Sequence, residues 1–148
     1  MAIPTVLPTP SREYPLIQDD EIRERRTIVL SMRNKSQRIL TGLEFLIGNK
    51  LYKESRIDAN PKLNTAEEWT VDNQSDGIHP FHVHVNSFEV ISVPWDSKYH
   101  RIQDTIWVPP FSKVKLRMRF KTWKGKSVYH CHILPHEDTA MLQNFLIT

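Results

Sequence analysis

The sequence predicts an all-β domain, a Greek-key sandwich or small barrel of about eight strands. Three observations lead there. Short segments rich in Val, Ile, Phe, Trp and Tyr recur between turn residues. Several of them alternate polar and apolar residues with the period of two that gives a strand one wet face. Almost nothing persists at helical period. With 148 residues, the chain is most simply one domain, since a chain of this size buries roughly 70% of its unfolded surface.

The chain opens on "MAIPTVLPTPSREYPLI", broken by Pro4, Pro8, Pro10 and Pro15. Prolines this dense favour an extended, polyproline-like linker, and the stretch lacks the charged start of a secretory signal. Residues 1–25 are therefore expected to be a linker and 26–148 the domain. Within this lead-in, "QDDEIRERR" (18–26) reads as a turn or two of helix or as solvated chain.

The expected strands follow in order. "RTIVLSMR" (26–33) is the first, and "LEFLIGNKLY" (43–52) reads as a hairpin about Gly48 and Asn49. "AEEWTVDN" (66–73) alternates around Trp69 and Val71, and "FHVHVNSFEVISV" (81–93) follows. Then come "DTIWV" (104–108), closed by Pro109 and Pro110, and "KVKLRMRF" (113–120), with "SVYHCHIL" (127–134) and "MLQNFLI" (141–147) after them. In "KVKLRMRF" the bases Lys113, Lys115, Arg117 and Arg119 alternate with apolar residues, which reads as a solvated strand face rather than a docking patch.

Charge demands no particular partner. The net charge of +3 comes from 20 basic and 17 acidic residues spread along the chain, which points neither to nucleic acid nor to a membrane surface. No apolar run approaches the roughly 20 residues of a membrane span. The single cysteine, Cys131, cannot form an internal disulfide, so it is buried filler, an intermolecular link, a reactive group or a metal ligand.

The histidines are the strongest signal. Of the seven, His79, His82 and His84 fall in "HPFHVH", His130, His132 and His136 fall in "HCHILPH", and His100 stands apart. Alternate side chains of a strand share a face, so His130 and His132 look one way and Cys131 the other. If 79–84 is also extended, His82 and His84 share one face and His79 takes the opposite one, provided Pro80 introduces no bulge. Two adjacent strands then build two sites. On one side are His79 and Cys131, with His136 returning from the following loop and Met141 just beyond. On the other are His82, His84, His130 and His132. Two imidazoles, a thiolate and a thioether form the donor set that selects copper in a blue electron-transfer centre. Zinc sites rarely recruit a thioether, and a cysteine nucleophile cannot use flanking histidines that point away from it.

These motifs, "HPFHVH" and "HCHILPHEDTAM", resemble the two carboxy-terminal copper motifs of the multicopper oxidases, laccase-like enzymes built of cupredoxin domains. The resemblance runs through most of the chain from about residue 26. It implies a type 1 copper held by His79, Cys131 and His136 with Met141 axial, a type 2 copper ligand in His82, and type 3 ligands in His84, His130 and His132. Electrons from a phenolic or metal-ion substrate would pass through Cys131 to the cluster that reduces dioxygen to water. Glu137 aligns with an acidic residue that helps deliver protons in similar enzymes, although a solvated carboxylate is an equal reading. Asp104 is open between a partner to an imidazole and a plain strand-edge aspartate. Where relatives commonly carry glycine, this chain has Ala140 before Met141, and Phe111 and Ser112 after "VPP".

The family completes its cluster with two further "HxH" motifs from another domain, and the sequence holds neither. The expected function is thus a copper-binding oxidoreductase domain, oxidase-active with upstream cupredoxin domains of the same protein or within a homo-oligomer. A standalone cupredoxin electron carrier is the alternative. The family is usually extracytoplasmic.

Overall fold

The computed structural model describes residues 16–34 and 42–148. The proline-rich stretch expected to be a linker lies largely outside them. A single 3-10 turn, Asp19–Glu21, leads into β1 (Ile22–Asn34). The strand expected from Arg26 therefore begins earlier, and of the helical reading of 18–26 only this turn forms. It carries the capping arrangement in which Glu21 accepts the Gln18 N–H at 2.9 Å.

The remaining elements are β2 (Leu43–Ile47), β3 (Thr65–Asn73), β4 (His79–Val83), β5 (Phe88–Ser92), β6 (Arg101–Gln103), β7 (Thr105–Val108), β8 (Lys113–Phe120), β9 (Gly125–Cys131), α1 (Leu134–Asp138) and β10 (Leu142–Ile147). They form a six-stranded sheet in the order β2-β1-β3-β8-β5-β6 and a four-stranded sheet in the order β10-β9-β4-β7. All pairings are antiparallel except β1 with β3. No helix among the described residues is long and apolar enough to cross a membrane.

Two expectations change. The turn at Gly48 and Asn49 forms with φ of 61° and 59°, the left-handed pair that a tight hairpin turn needs. Its second arm does not continue as a strand: β2 pairs with β1, and Tyr52 donates its N–H to Ala140 O. The single strand expected over 81–93 breaks into β4 and β5, which lie in different sheets. The break falls after His84, where Val85 has φ of 61°, a turn that a β-branched residue makes only when its surroundings impose it.

The sheets close on an apolar core. Trp69 is fully buried at its centre, with its ring 5.2 Å from Tyr129, 6.2 Å from Phe145 and 6.5 Å from Phe120. Its indole N–H donates to the buried carboxylate of Glu67 at 2.7 Å, which Arg26 also clasps with two hydrogen bonds, at 2.7 and 3.0 Å. In β8 the apolar residues Val114, Leu116, Met118 and Phe120 are buried. Its bases line the opposite face in a ladder of pairs: Lys113 with Asp72, Lys115 with Glu68, Arg117 with Glu68 and Asp19, and Arg119 with Glu21. The acids of β3 and of the 3-10 turn neutralise that face.

Candidate metal centre

The site follows from one strand pairing. β4 and β9 run antiparallel with Phe81 opposite Cys131, His82 opposite His130 and Val83 opposite Tyr129. On its other edge β4 pairs with β7 from His79 to His82 without a register shift. Pro80 thus introduces no bulge, and its carbonyl accepts the His132 N–H at 2.7 Å. Side-chain alternation survives along both strands and separates the histidines between two faces.

On the inner face, His79 Nδ1 lies 3.4 Å from Cys131 Sγ, Cys131 Sγ 3.5 Å from His136 Nδ1, and the two Nδ1 atoms 3.3 Å from each other. α1 supplies His136. Its Leu-Pro start cannot continue the strand, and the Thr139 hydroxyl closes its end by donating to Pro135 O at 2.7 Å. Met141 is fully buried and laced between the two other donors from the second motif: its N–H donates to His136 O at 3.0 Å, and its carbonyl accepts the Cys131 N–H at 3.1 Å. Phe45, from β2, stacks on the His136 ring.

The electrostatics of this pocket favour the neutral form of each donor. Burial, reinforced by the neighbouring His136, pushes His79 down to about 4. Burial likewise lowers His136 and pushes the Cys131 thiol up to about 11. The donor triangle fits a metal: a point equidistant from atoms spaced this way lies about 2.0 Å from each, the length of a metal–imidazole bond and slightly short of a metal–thiolate bond. Imidazole with thiolate in a trigonal set favours copper.

On the outer face, one nitrogen from each of His82, His84 and His130 falls within 4.8 Å of the others, and the Nε2 atoms of His84 and His130 are 3.0 Å apart. The His132 ring stands 5.4 Å from that of His82 and 5.3 Å from that of His130. His84 and His132 are exposed, so this imidazole group opens to the surface. Burial lowers His84 and His130, with His82 adding to the effect on His84.

Backbone carbonyls orient two of these rings. His82 Nδ1 donates to Asp104 O at 2.8 Å and lies 2.9 Å from the Thr105 hydroxyl. His130 Nδ1 lies 3.1 Å from Cys131 O and 3.3 Å from Glu137 Oε2. In each case Nε2 is left to face the other imidazoles. Asp104 therefore acts mainly through its main chain, while its carboxylate accepts the Thr105 hydroxyl at 3.0 Å. Glu137 thus stands beside an imidazole of the outer group. His100 belongs to neither group and pairs with buried Glu89 at 2.6 Å.

Sequence reasoning missed three contributors: Phe45, Thr105, and Ser75, whose hydroxyl lies 2.9 Å from His79 Nε2. None carries a metal-binding side chain. Only the nearness of Ser75 to "HPFHVH" and of Thr105 to Asp104 could have flagged them.

Comparison with known proteins agrees with this architecture. A family model described as multicopper oxidase matches residues 22–148. A multicopper oxidase of Staphylococcus haemolyticus is 38% identical over 110 residues, covering 68% of this chain and 24% of that protein. A laccase of Bacillus subtilis is 28% identical over 91% of this chain and 30% of its own length. Among solved structures, the multicopper oxidase of Campylobacter jejuni, described as a metallo-oxidase, aligns with a TM-score of 0.77 and 31% identity over 92% of this chain and 32% of its own. A laccase from Pediococcus acidilactici gives 0.77 and 31% over 100% and 32%. This chain thus spans about a quarter of the length of the first curated relatives. The two-sheet fold is of cupredoxin type, and the chain belongs to the multicopper oxidase family of copper-binding oxidoreductases.

Proposed function

We propose that the chain works as the carboxy-terminal cupredoxin domain of a larger oxidase, holding one complete copper site and half of a second. In this reading His79, Cys131, His136 and Met141 hold the type 1 copper, His82 a type 2 copper, and His84, His130 and His132 a type 3 pair. Bound copper would accept single electrons from a phenolic or metal-ion substrate and deliver them to dioxygen, giving water. The remaining imidazoles would come from another cupredoxin domain of the same oxidase. The protein would be extracytoplasmic, as is usual in the family.

The observation that carries this reading is the position of Cys131. Its side chain belongs to the inner triangle while its two chain neighbours, His130 and His132, stand among the outer imidazoles. One peptide segment joins the sites. The chain's own groups have distinct tasks. The apolar core around Cys131 keeps solvent from His79, Cys131 and Met141, while His136 reaches the surface. The carbonyls of Asp104 and Cys131 hold their imidazoles with Nε2 outward. Glu137, partly exposed beside His130, can take a proton from solvent and hold it at the edge of the outer group. An electron carrier would gain nothing from an exposed imidazole group, which favours the oxidase reading.

The test is copper content, visible absorption and oxygen uptake with a phenol, measured on the purified chain. The expected result is one tightly held copper with an intense thiolate band and no oxygen uptake. Uptake should appear only when the missing domains are supplied. Strong uptake by the chain alone, or the absence of a thiolate band, would overturn the proposal.

A further inference from the structure

The loop between β3 and β4 is held by side chains whose hydrogens can be placed from backbone groups alone. Asn73 is buried, and its Nδ2 faces the carbonyls of Gly77, Val108 and Pro109 at 2.7, 3.1 and 2.9 Å. Carbonyls only accept, so this end of the amide is the nitrogen. The other end accepts the Ser75 N–H at 3.0 Å, as an oxygen must, and lies 2.7 Å from the Ser75 hydroxyl. At that distance one of the two oxygens has to donate, and only the hydroxyl has a hydrogen. The second oxygen near it, Gly77 O at 3.3 Å, is also an acceptor. Ser75 is left with lone pairs alone for His79 Nε2, 2.9 Å away.

From this chain of contacts we infer that Ser75 is a positioning residue: it accepts the Nε2–H of His79 and so leaves Nδ1 as a bare lone pair aimed at Cys131 and His136. The opposite tautomer would press Nε2 against the hydroxyl lone pairs and turn an N–H into the donor triangle. Both His79 and Ser75 are buried, so no solvent stands in for the lost partner. The inference rests on the proposed metal site for its functional meaning, since a ligand held in the binding tautomer spares the site a proton rearrangement before the metal can enter.

The tautomer is read directly by nitrogen-15 NMR of labelled histidines in the metal-free full chain at pH 7, with His79→Gln assigning the resonance. Wild type is expected to carry its hydrogen on Nε2. Ser75→Ala should move His79 towards a mixture and weaken monovalent copper binding, measured by chelator competition, by about 10- to 100-fold. Ser75→Thr, which keeps the hydroxyl, should restore both. A wild-type hydrogen on Nδ1 would overturn the inference, and so would an unchanged tautomer and affinity in Ser75→Ala. If that variant fails to fold, the wild-type and Ser75→Thr spectra still decide. Should wild type show the expected tautomer but bind no copper, the proposed metal site fails and the assignment of Ser75 stands.

Discussion

Phe45 lies flat against His136, with ring centroids 3.8 Å apart and planes inclined by 19°. A strand of the six-stranded sheet thereby pins a donor that sits on the helix between β9 and β10 of the other sheet. The contact covers one face of the ring and leaves His136 half-exposed. Phe45→Ala should cost about 1 kcal/mol of stability beyond the loss of buried area, measured by urea unfolding of the metal-free chain. It should also loosen His136, seen as averaging of its ring resonances. Unchanged ring dynamics would mean that α1 alone holds the donor.

The division of the histidines between two faces predicts unequal effects from neighbouring substitutions. Cys131→Ser should abolish the thiolate absorption of the copper-loaded chain, whereas His132→Ala should leave that band largely intact. Loss of the band in both variants would contradict the separation along β9.

Two loop residues with side chains, Ala140 and Phe111, are backbone outliers. Ala140 has φ of 84° and Phe111 φ of 50°, in the left-handed region that disfavours side chains by roughly 1–2 kcal/mol. Ala140→Gly and Phe111→Gly should each therefore stabilise the protein, by up to about 1 kcal/mol once the entropy of an unfolded glycine is deducted. Denaturant midpoints check this. Destabilisation at Ala140 would show that its methyl group packs well enough to offset the strain.

Acid should weaken the metal-free protein through its buried imidazoles. His79 is held down at about 4 in the folded state, against about 6.5 when unfolded. As pH falls below that value the unfolded chain takes up a proton that the folded chain refuses. Stability is therefore lost progressively down to about pH 4, by on the order of 3 kcal/mol for this group. His84, His130 and His136 are lowered by burial too and add in the same direction. Unfolding midpoints measured between pH 7 and pH 4 should fall steadily; a flat profile would mean that these imidazoles are solvated.

Much of this was legible because strand alternation is a simple rule and the histidines obey it. "KVKLRMRF" announced both its element and its buried face, and the alternation in "HCH", set beside that in "HPFHVH", divided the histidines between two faces. Other features depend on tertiary contacts that carry no local signal. The second arm of the hairpin at Gly48 yields to pairing between β2 and β1, the break at Val85 follows from the two sheets competing for one segment, and β6 is too short to stand out. The ion-pair ladder on β8 needed the acids of β3, whose register no residue pattern specifies. Ser75, Phe45 and Thr105 bear on the site only through what they touch.

The inner triangle joins His79 to Cys131 and His136 across 52 and 57 residues. Such long separations, together with the parallel pairing of β1 and β3, make this a topology whose pieces meet slowly and late. During synthesis His79 is made well before its partners, and the triangle cannot close until α1 has been made and β9 has paired with β4. Any cation taken up by the inner triangle would therefore bind only after these distant strands have paired, and until then the Cys131 thiol lacks the burial it has in the folded domain.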